Sequence, residues 1–231
     1  MLSPSATDRQ DTASSFDPGT APAAETIAVI DFETTGMAGQ GARATEIAAV
    51  LVSGGRIVGQ YQSLMRSGAW VPPFIEQLTG ISNAMLADAP PAEHVMHEVL
   101  AFTRGCPLVA HNAPFDRSFW RAEGALAGAS EDPAHDEFAC TLLLSRRLYP
   151  EAPNHKLGGL AEHHALPREG RAHRALSDAL LTAHLLLRIQ ADVLARHPGP
   201  AIPDEADHGL LRRLQRLPRR RMERRLPADW R

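Results

Sequence analysis

Residues 27–36 have the sequence IAVIDFETTG, and this stretch decides how the chain folds. Its first part is a short apolar run of the kind that forms a buried β-strand. Side chains two residues apart leave a strand on the same face, so Asp31 and Glu33 share the face of Ile27 and Val29. Two carboxylates at the end of a buried strand repel each other and lose hydration, so they need a cation or a proton. Taken alone, such a pair is more typical of a solvated strand end than of a metal site.

The segments that follow predict an α/β fold with a mixed sheet. A second strand is predicted over 45–53 and a third over 56–64, and the Gly54-Gly55 pair between them is a hairpin signal. After these three antiparallel strands, the compact apolar run PLVA at 107–110 predicts a strand parallel to its neighbours. Helical spacing or capping signals predict helices over 72–77, 91–104, 114–123, 140–148, 157–164 and 176–196, with a short turn of helix after Ser82. This order favours helices on both faces of the sheet.

The chain divides into three parts by composition. Residues 1–24 are rich in Ser, Thr, Pro, Ala and Asp and predict a disordered leader. Residues 25–198 form the folded domain. The segment 199–231 is a basic, Arg-rich tail, and its part from Gly209 to Arg231 has nine Arg against Glu223 and Asp229. Such a tail indicates nucleic acid or an acidic partner, or simply a solvated end.

Composition excludes several classes of protein. The chain has 231 residues, 44% hydrophobic and 22% charged, which is typical of a globular protein and not of a fibre or membrane protein. It has no apolar run of the ~18 residues that a membrane helix needs, and its first residues carry no secretion signal. Cys106 and Cys140 are far apart and form no CxxC, so neither a disulfide framework nor a zinc knuckle is indicated. We therefore expect a cytoplasmic protein that does not bind a membrane.

Two later motifs place acidic residues at helix starts. HNAPFD at 111–116 follows the PLVA strand and puts Asp116 in the first turn of a helix, where the helix dipole favours an acid. HRALSD at 173–178 puts His173 in a loop and Asp178 in the first turns of the longest helix. Each motif alone is common and usually structural.

Together, the motifs carry a resemblance to a known family. DFETTG, HNAPFD and HRALSDA, with LTGI at 78–81 and NHKL at 154–157, resemble the motifs of the DEDDh (DnaQ-like) 3′→5′ exonuclease superfamily, which includes the proofreading epsilon subunit of bacterial DNA polymerase III. The resemblance covers about residues 26–195 and implies a ribonuclease H-like fold. Many members have Asp-Thr where this chain has Cys140-Thr141, a position outside the acids and the histidine.

The resemblance implies a site with two divalent metal ions, Mg²⁺ or Mn²⁺. Its ligands would be Asp31, Glu33, Asp116 and Asp178. A cluster of carboxylates is a hard oxygen site that suits these ions, and two such ions stabilise the attacking and leaving oxygens of phosphoryl transfer. His173 would be the general base that takes a proton from the attacking water.

The resemblance also implies residues that contact the substrate, namely Thr34, Thr35, Gly36, Ile81, Asn112 and Phe115. Ile81 would be a hydrophobic wedge at the terminal base. Packing of Ile81 and Phe115 in the core is an open alternative.

The expected function is metal-dependent hydrolysis at the 3′ end of single-stranded DNA, releasing nucleoside 5′-monophosphates, in proofreading or repair. An exoribonuclease that trims RNA 3′ ends is the alternative within the same chemistry. A non-catalytic module that binds nucleic acid or a polymerase is the alternative of another class, and the complete set of four acids and a histidine argues against it. A DNA polymerase subunit could bind through 199–231.

Overall fold

The computed structural model describes residues 24–39, 41–129, 132–135, 137–196 and 206–218. Almost all of the predicted leader, and much of the predicted tail, therefore lie outside the described residues. The boundaries of the three predicted parts stay predictions.

A five-stranded mixed sheet organises the molecule, in the order β3-β2-β1-β4-β5. The strands are β1 Ile27–Thr34, β2 Ala44–Ser53, β3 Arg56–Leu64, β4 Leu108–Ala110 and β5 Phe138–Cys140. The first three are antiparallel, whereas β4 runs parallel to β1 and β5 runs parallel to β4. The predicted α/β, ribonuclease H-like class is confirmed. β5 was not predicted.

Eight helices are described. They are α1 Pro73–Thr79, α2 Asn83–Ala87, α3 Ala92–Phe102, α4 Ala113–Leu126, α5 Thr141–Leu148, α6 Leu157–His163, α7 Ala175–Arg196 and α8 His208–Leu214, with a 3₁₀ turn at Pro133–His135. Ser82 caps α2 by accepting a hydrogen bond from the Met85 N–H, as its position in the sequence predicted. Within the described ranges, no helix is both long and apolar enough to cross a membrane.

The central strand β1 divides the core into two halves. Ile27 and Val29 face a core that α5, α6, α7 and α8 cover, while Ala28, Ile30 and Phe32 face a core that α3 and α4 cover. Alternation along the strand therefore produces the two faces that the apolar pattern predicts. Asp31 and Glu33 continue the face of β1 that α7 covers, at the end of the strand.

The last described segment packs against the edge of the sheet. Leu210, Leu211 and Leu214 of α8 are buried in the core on the α7 side. The side-chain amide of Gln215 accepts a hydrogen bond from the Cys140 N–H of β5 at 2.6 Å and donates one to the Phe138 carbonyl at 3.2 Å. Residues 206–218, although they belong to the basic segment by composition, thus contact the sheet directly.

Candidate active site

Asp116 joins the start of α4 to the end of β1. Asn112, between β4 and α4, has a left-handed backbone (φ 68°), and Pro114 lies in the first turn of the helix. This geometry brings Asp116, which is only 3% exposed, against β1, where its Oδ1 accepts a hydrogen bond from the Phe32 N–H at 3.2 Å. Asp116 therefore lies close enough to Asp31 for its charge to raise the pKa of that carboxyl.

Asp178 and His173 approach the same strand end from the start of α7. The Asp178 Oδ2 accepts a hydrogen bond from the His173 N–H at 3.1 Å, which holds the preceding loop to the helix. Donor atoms of Glu33, His173 and Asp178 all lie within 4.8 Å of one another. Three parts of the chain that are far apart in sequence thus meet at one point.

The electrostatics of this acid cluster, which comprises Asp31, Glu33, Asp116 and Asp178, favour a bound cation. Burial is the largest cause of a raised pKa at each of the four carboxyls. The pKa of Asp31 lies well above its usual range, and the charge of Asp116 adds most to the effect of burial. The pKa of Glu33 is raised to about 8 by burial and by Asp178, and that of Asp116 to about 8 by burial. These groups require protons or cations to be buried together.

The donor chemistry fits a divalent metal. Carboxylate oxygens that converge within a few ångströms are the ligands that Mg²⁺ and Mn²⁺ prefer, and no thiol lines the cleft.

A cleft of about 1000 Å³ opens beside the acid cluster. The four acids and His173 all line it, and so do five of the six residues predicted to contact substrate: Thr34, Thr35, Gly36, Asn112 and Phe115. Ile81 does not. It is fully buried with Val71 and Leu86, which corresponds to the core alternative and not to a wedge at a terminal base.

The cleft rim carries apolar side chains that the motifs did not identify. Met37, Trp70, Phe74 and Leu78 line the cleft and are 67%, 72%, 66% and 46% exposed. We call these four residues the apolar rim. The signal available in the sequence was two aromatic residues flanking Pro72-Pro73, in a chain that is only 5% aromatic.

His111 also lines the cleft, but both of its ring nitrogens are within hydrogen-bond distance of protein atoms. Its Nδ1 is 2.9 Å from the Thr141 hydroxyl and its Nε2 is 3.1 Å from the His155 carbonyl oxygen. Burial lowers the pKa of His111 to about 4, so the ring is neutral near pH 7. Cys140, the departure from the family pattern, is buried in β5 and does not line the cleft.

Comparisons with known proteins agree with this geometry. A family model described as the RNase T exonuclease family matches residues 28–186. The DNA polymerase III subunit epsilon of Aquifex aeolicus is 34% identical over 164 residues, which cover 71% of this chain and 80% of that protein. The 3′-5′ exonuclease DinG of Bacillus subtilis is 38% identical over 175 residues, 75% of this chain and 18% of that protein. Several relatives are much longer than this chain. It spans much less than two thirds of their length, and only 11% of a PolC-type DNA polymerase III from Caldanaerobacter subterraneus.

Solved structures give the same result. Exonuclease X in complex with 5′ overhanging duplex DNA is 33% identical, with a TM-score of 0.56, and the match covers 71% of this chain and 90% of that one. The nuclease domain of 3′hExo bound to rAMP has a TM-score of 0.62 at 21% identity, over 72% of this chain and 92% of that one, and supports the fold alone. Because the family model spans more than half of the chain and the epsilon subunit matches over most of its own length, this chain belongs to the exonuclease family of the DEDDh, DnaQ-like type.

Proposed function

We propose that this protein is a metal-dependent 3′→5′ exonuclease that hydrolyses phosphodiester bonds at the 3′ end of single-stranded DNA and releases nucleoside 5′-monophosphates. One observation carries the proposal. The acid cluster and His173, supplied by β1, α4 and the start of α7, converge on one wall of a cleft large enough for a nucleotide.

The acid cluster would hold two divalent ions, Mg²⁺ or Mn²⁺. Its raised pKa values support this, since a cation relieves the repulsion that burial imposes on the carboxylates. When bound, the ions would supply electrostatic stabilisation of the attacking and leaving oxygens of the phosphodiester.

His173 would take the proton from the attacking water. Its side chain is exposed at the cleft, and donor atoms of Glu33 and Asp178 lie within 4.8 Å of its ring nitrogen. An imidazole that is neutral at the working pH can accept a proton, and the neighbouring carboxylates stabilise the imidazolium that forms.

The apolar rim supports an unpaired strand as substrate. Aromatic side chains stack on the faces of all four bases, so they bind single strands without reading sequence. Phe115, whose ring lies 5.1 Å from that of Phe119, adds a partly buried aromatic surface inside the cleft. The relatives named as DNA polymerase III subunits and the DNA complex of Exonuclease X support DNA over RNA, and a role in proofreading or repair.

Digestion of matched substrates tests this proposal. Single-stranded DNA, duplex DNA and RNA of one sequence, each labelled at the 5′ end, are incubated with Mg²⁺ or Mn²⁺ and with a chelator. We expect metal-dependent shortening from the 3′ end, fastest on single-stranded DNA, with nucleoside 5′-monophosphates as products. Faster digestion of RNA would replace the DNA assignment with RNA trimming. No digestion of any substrate would overturn the proposal and favour a binding module.

A polymerase partner is a separate part of the proposal. Within the predicted tail 199–231, the Arg-rich residues 219–231 would provide the basic docking segment, and the epsilon-like relatives support such a partner. Pull-down of a replicative polymerase with the full chain and with a chain that ends at residue 218 tests it. Equal recovery would remove the docking role from this segment.

A further inference from the structure

Glu46, which is fully buried, and Arg174, which is partly exposed, form an ion pair next to the proposed active site. We infer that they are positioning residues, which hold His173 where it can take the proton from water. The inference rests on the proposed function, because it assigns a role to residues that act through the proposed general base.

Glu46 is fully buried, yet both of its carboxylate oxygens are hydrogen-bonded. Oε1 accepts from Gln62 Nε2 and from Arg174 Nη2, each at 2.6 Å. Oε2 accepts from Arg174 Nε and from the Ala175 N–H, each at 3.0 Å. A buried carboxylate is tolerated only with such partners, and a guanidinium that binds both oxygens fixes direction as well as distance. The pair therefore places the start of α7 rigidly on β2.

We call the Glu46–Arg174 ion pair the anchor. His173 is the residue that this anchor fixes. It precedes Arg174 and has φ 61°, in the left-handed region that non-glycine residues seldom adopt. The backbone sets where the imidazole starts from, so a shift of the backbone moves the ring. That backbone is fixed on one side by the bond from the His173 N–H to Asp178 and on the other by Arg174.

The position of Glu46 in the sheet links this anchor to the acids. Glu46 on β2 lies opposite Glu33 on β1, so the strand that carries the anchor is paired with the strand that carries this acid. Displacement of His173 relative to Glu33 would require a break in the ion pair or in the strand pairing. We therefore assign the pair to the geometry of catalysis and not only to stability.

A second arginine in the same loop provides a matched control. Within the part of the chain that the structure describes, Arg168 bonds to the Gly158 carbonyl and to Glu162, both on α6, and is exposed. Arg168→Gln removes an arginine of the same loop without touching the anchor.

Steady-state kinetics on single-stranded DNA distinguish a role in positioning His173 from a role in stability alone. The variants compared are Arg174→Gln, Arg174→Lys and Arg168→Gln. We expect Arg174→Gln to lower kcat by about 10- to 100-fold with KM changed less than about threefold, since misplacement of a reacting group by ~1 Å acts on the chemical step. Arg174→Lys keeps the positive charge but cannot bind both carboxylate oxygens in the same geometry, so it should recover part of kcat. Arg168→Gln should match the wild type. A wild-type kcat for Arg174→Gln, or a loss confined to KM, would overturn the inference.

Hydrogen exchange gives a readout that does not depend on catalysis. In Arg174→Gln we expect faster amide exchange at residues 171–178 and unchanged exchange in β1. Unchanged exchange at 171–178 would refute the anchor even if the wild-type protein proved inactive. An inactive wild type with an intact anchor would instead refute the proposed function. If Arg174→Gln does not fold, Arg174→Lys is compared with the wild type in both assays.

Discussion

Glu33 on β1 lies directly opposite Glu46 on β2, and the two carboxylates have opposite surroundings. Glu46 is neutralised within the protein by Arg174. Glu33 lines the cleft, where burial, Asp178 and Glu46 raise its pKa to about 8, and Arg174 offsets this only in part. One carboxylate of the pair is thus paired within the protein, whereas the other faces the cleft, where it would bind a cation under the proposed function.

The stability of the metal-free protein should fall as pH rises from about 6.5 to about 8. Glu33 and Asp116 have folded-state pKa values of about 8, against ordinary values of 4.5 and 3.8. The folded chain therefore holds protons that the unfolded chain has released, and the free energy of unfolding falls until pH passes about 8. His111, with a pKa lowered to about 4, acts in the opposite direction, but only below about pH 6.5.

Thermal unfolding over a pH series in a chelating buffer measures this slope. Mg²⁺ or Mn²⁺ should abolish it by replacing the protons, and Asp116→Asn should flatten it without metal. A midpoint that climbs between about pH 6.5 and about 8 would contradict the assigned pKa shifts.

Asp31→Asn should change activity and stability in opposite directions. We expect the loss of metal-dependent nucleotide release, since the amide is a poorer metal ligand. Without metal, Asn can be buried among the other acids without taking up a proton, so the thermal midpoint near pH 7 should rise by at least about 2 °C, the shift that 1 kcal/mol produces in a domain of this size. Asp88→Asn, an exposed acid that does not line the cleft, is the control and should alter neither. Full activity of Asp31→Asn would remove the central claim.

His173→Ala should lower the single-turnover rate by about 10²–10⁴, the usual contribution of a general base. Substrate affinity should change little, because the ring acts on water. His94→Ala removes an exposed histidine of α3 that pairs with Glu98, outside the cleft, and should leave the rate as it is. A loss below tenfold for His173→Ala would mean that bulk solvent or another group accepts the proton.

Substitutions of Trp70 and Ile81 should affect different properties, namely DNA affinity for Trp70 and stability for Ile81. Trp70→Ala removes a stacking surface of the apolar rim and should weaken binding of single-stranded DNA by about 5- to 150-fold, equivalent to 1–3 kcal/mol. Ile81→Ala should instead lower the free energy of unfolding by about 2–5 kcal/mol, with little change in DNA affinity of the folded protein. Fluorescence anisotropy and urea denaturation measure the two effects. If Ile81→Ala weakened DNA binding as much as Trp70→Ala, Ile81 would regain the role of a wedge.

The sequence predicts most of the fold because its strongest signals are local. The alternating and apolar runs of β1, β2 and β3 and the helical spacing of α7 need no distant partner to be recognised. β5 has only three residues, too few for any periodicity, and it exists because β4 pairs with it. The Leu and Arg pattern of α8 indicates a helix only once the sheet edge supplies a surface.

The candidate site was predictable where motifs mark it. The acid cluster and His173 stand in recognisable motifs. Glu46, in contrast, is one residue within the strand TEIAAVLVS, and its partner Arg174 lies 128 residues away. The register that sets Glu46 opposite Glu33 and the approach of α7 are both non-local. Burial of Ile81 likewise depends on Val71 and Leu86 packing around it.

The contact of Gln215 with β5 has a consequence for how molecules of this protein meet one another. β5 is the last strand of the sheet, and its outward N–H and C=O groups would otherwise be free to pair with a strand from another molecule. The Gln215 amide occupies those groups and α8 covers the leucines behind them. A chain that ends after α7 would lose this cover. The exposed edge of its sheet would then favour edge-to-edge association between molecules, and therefore aggregation.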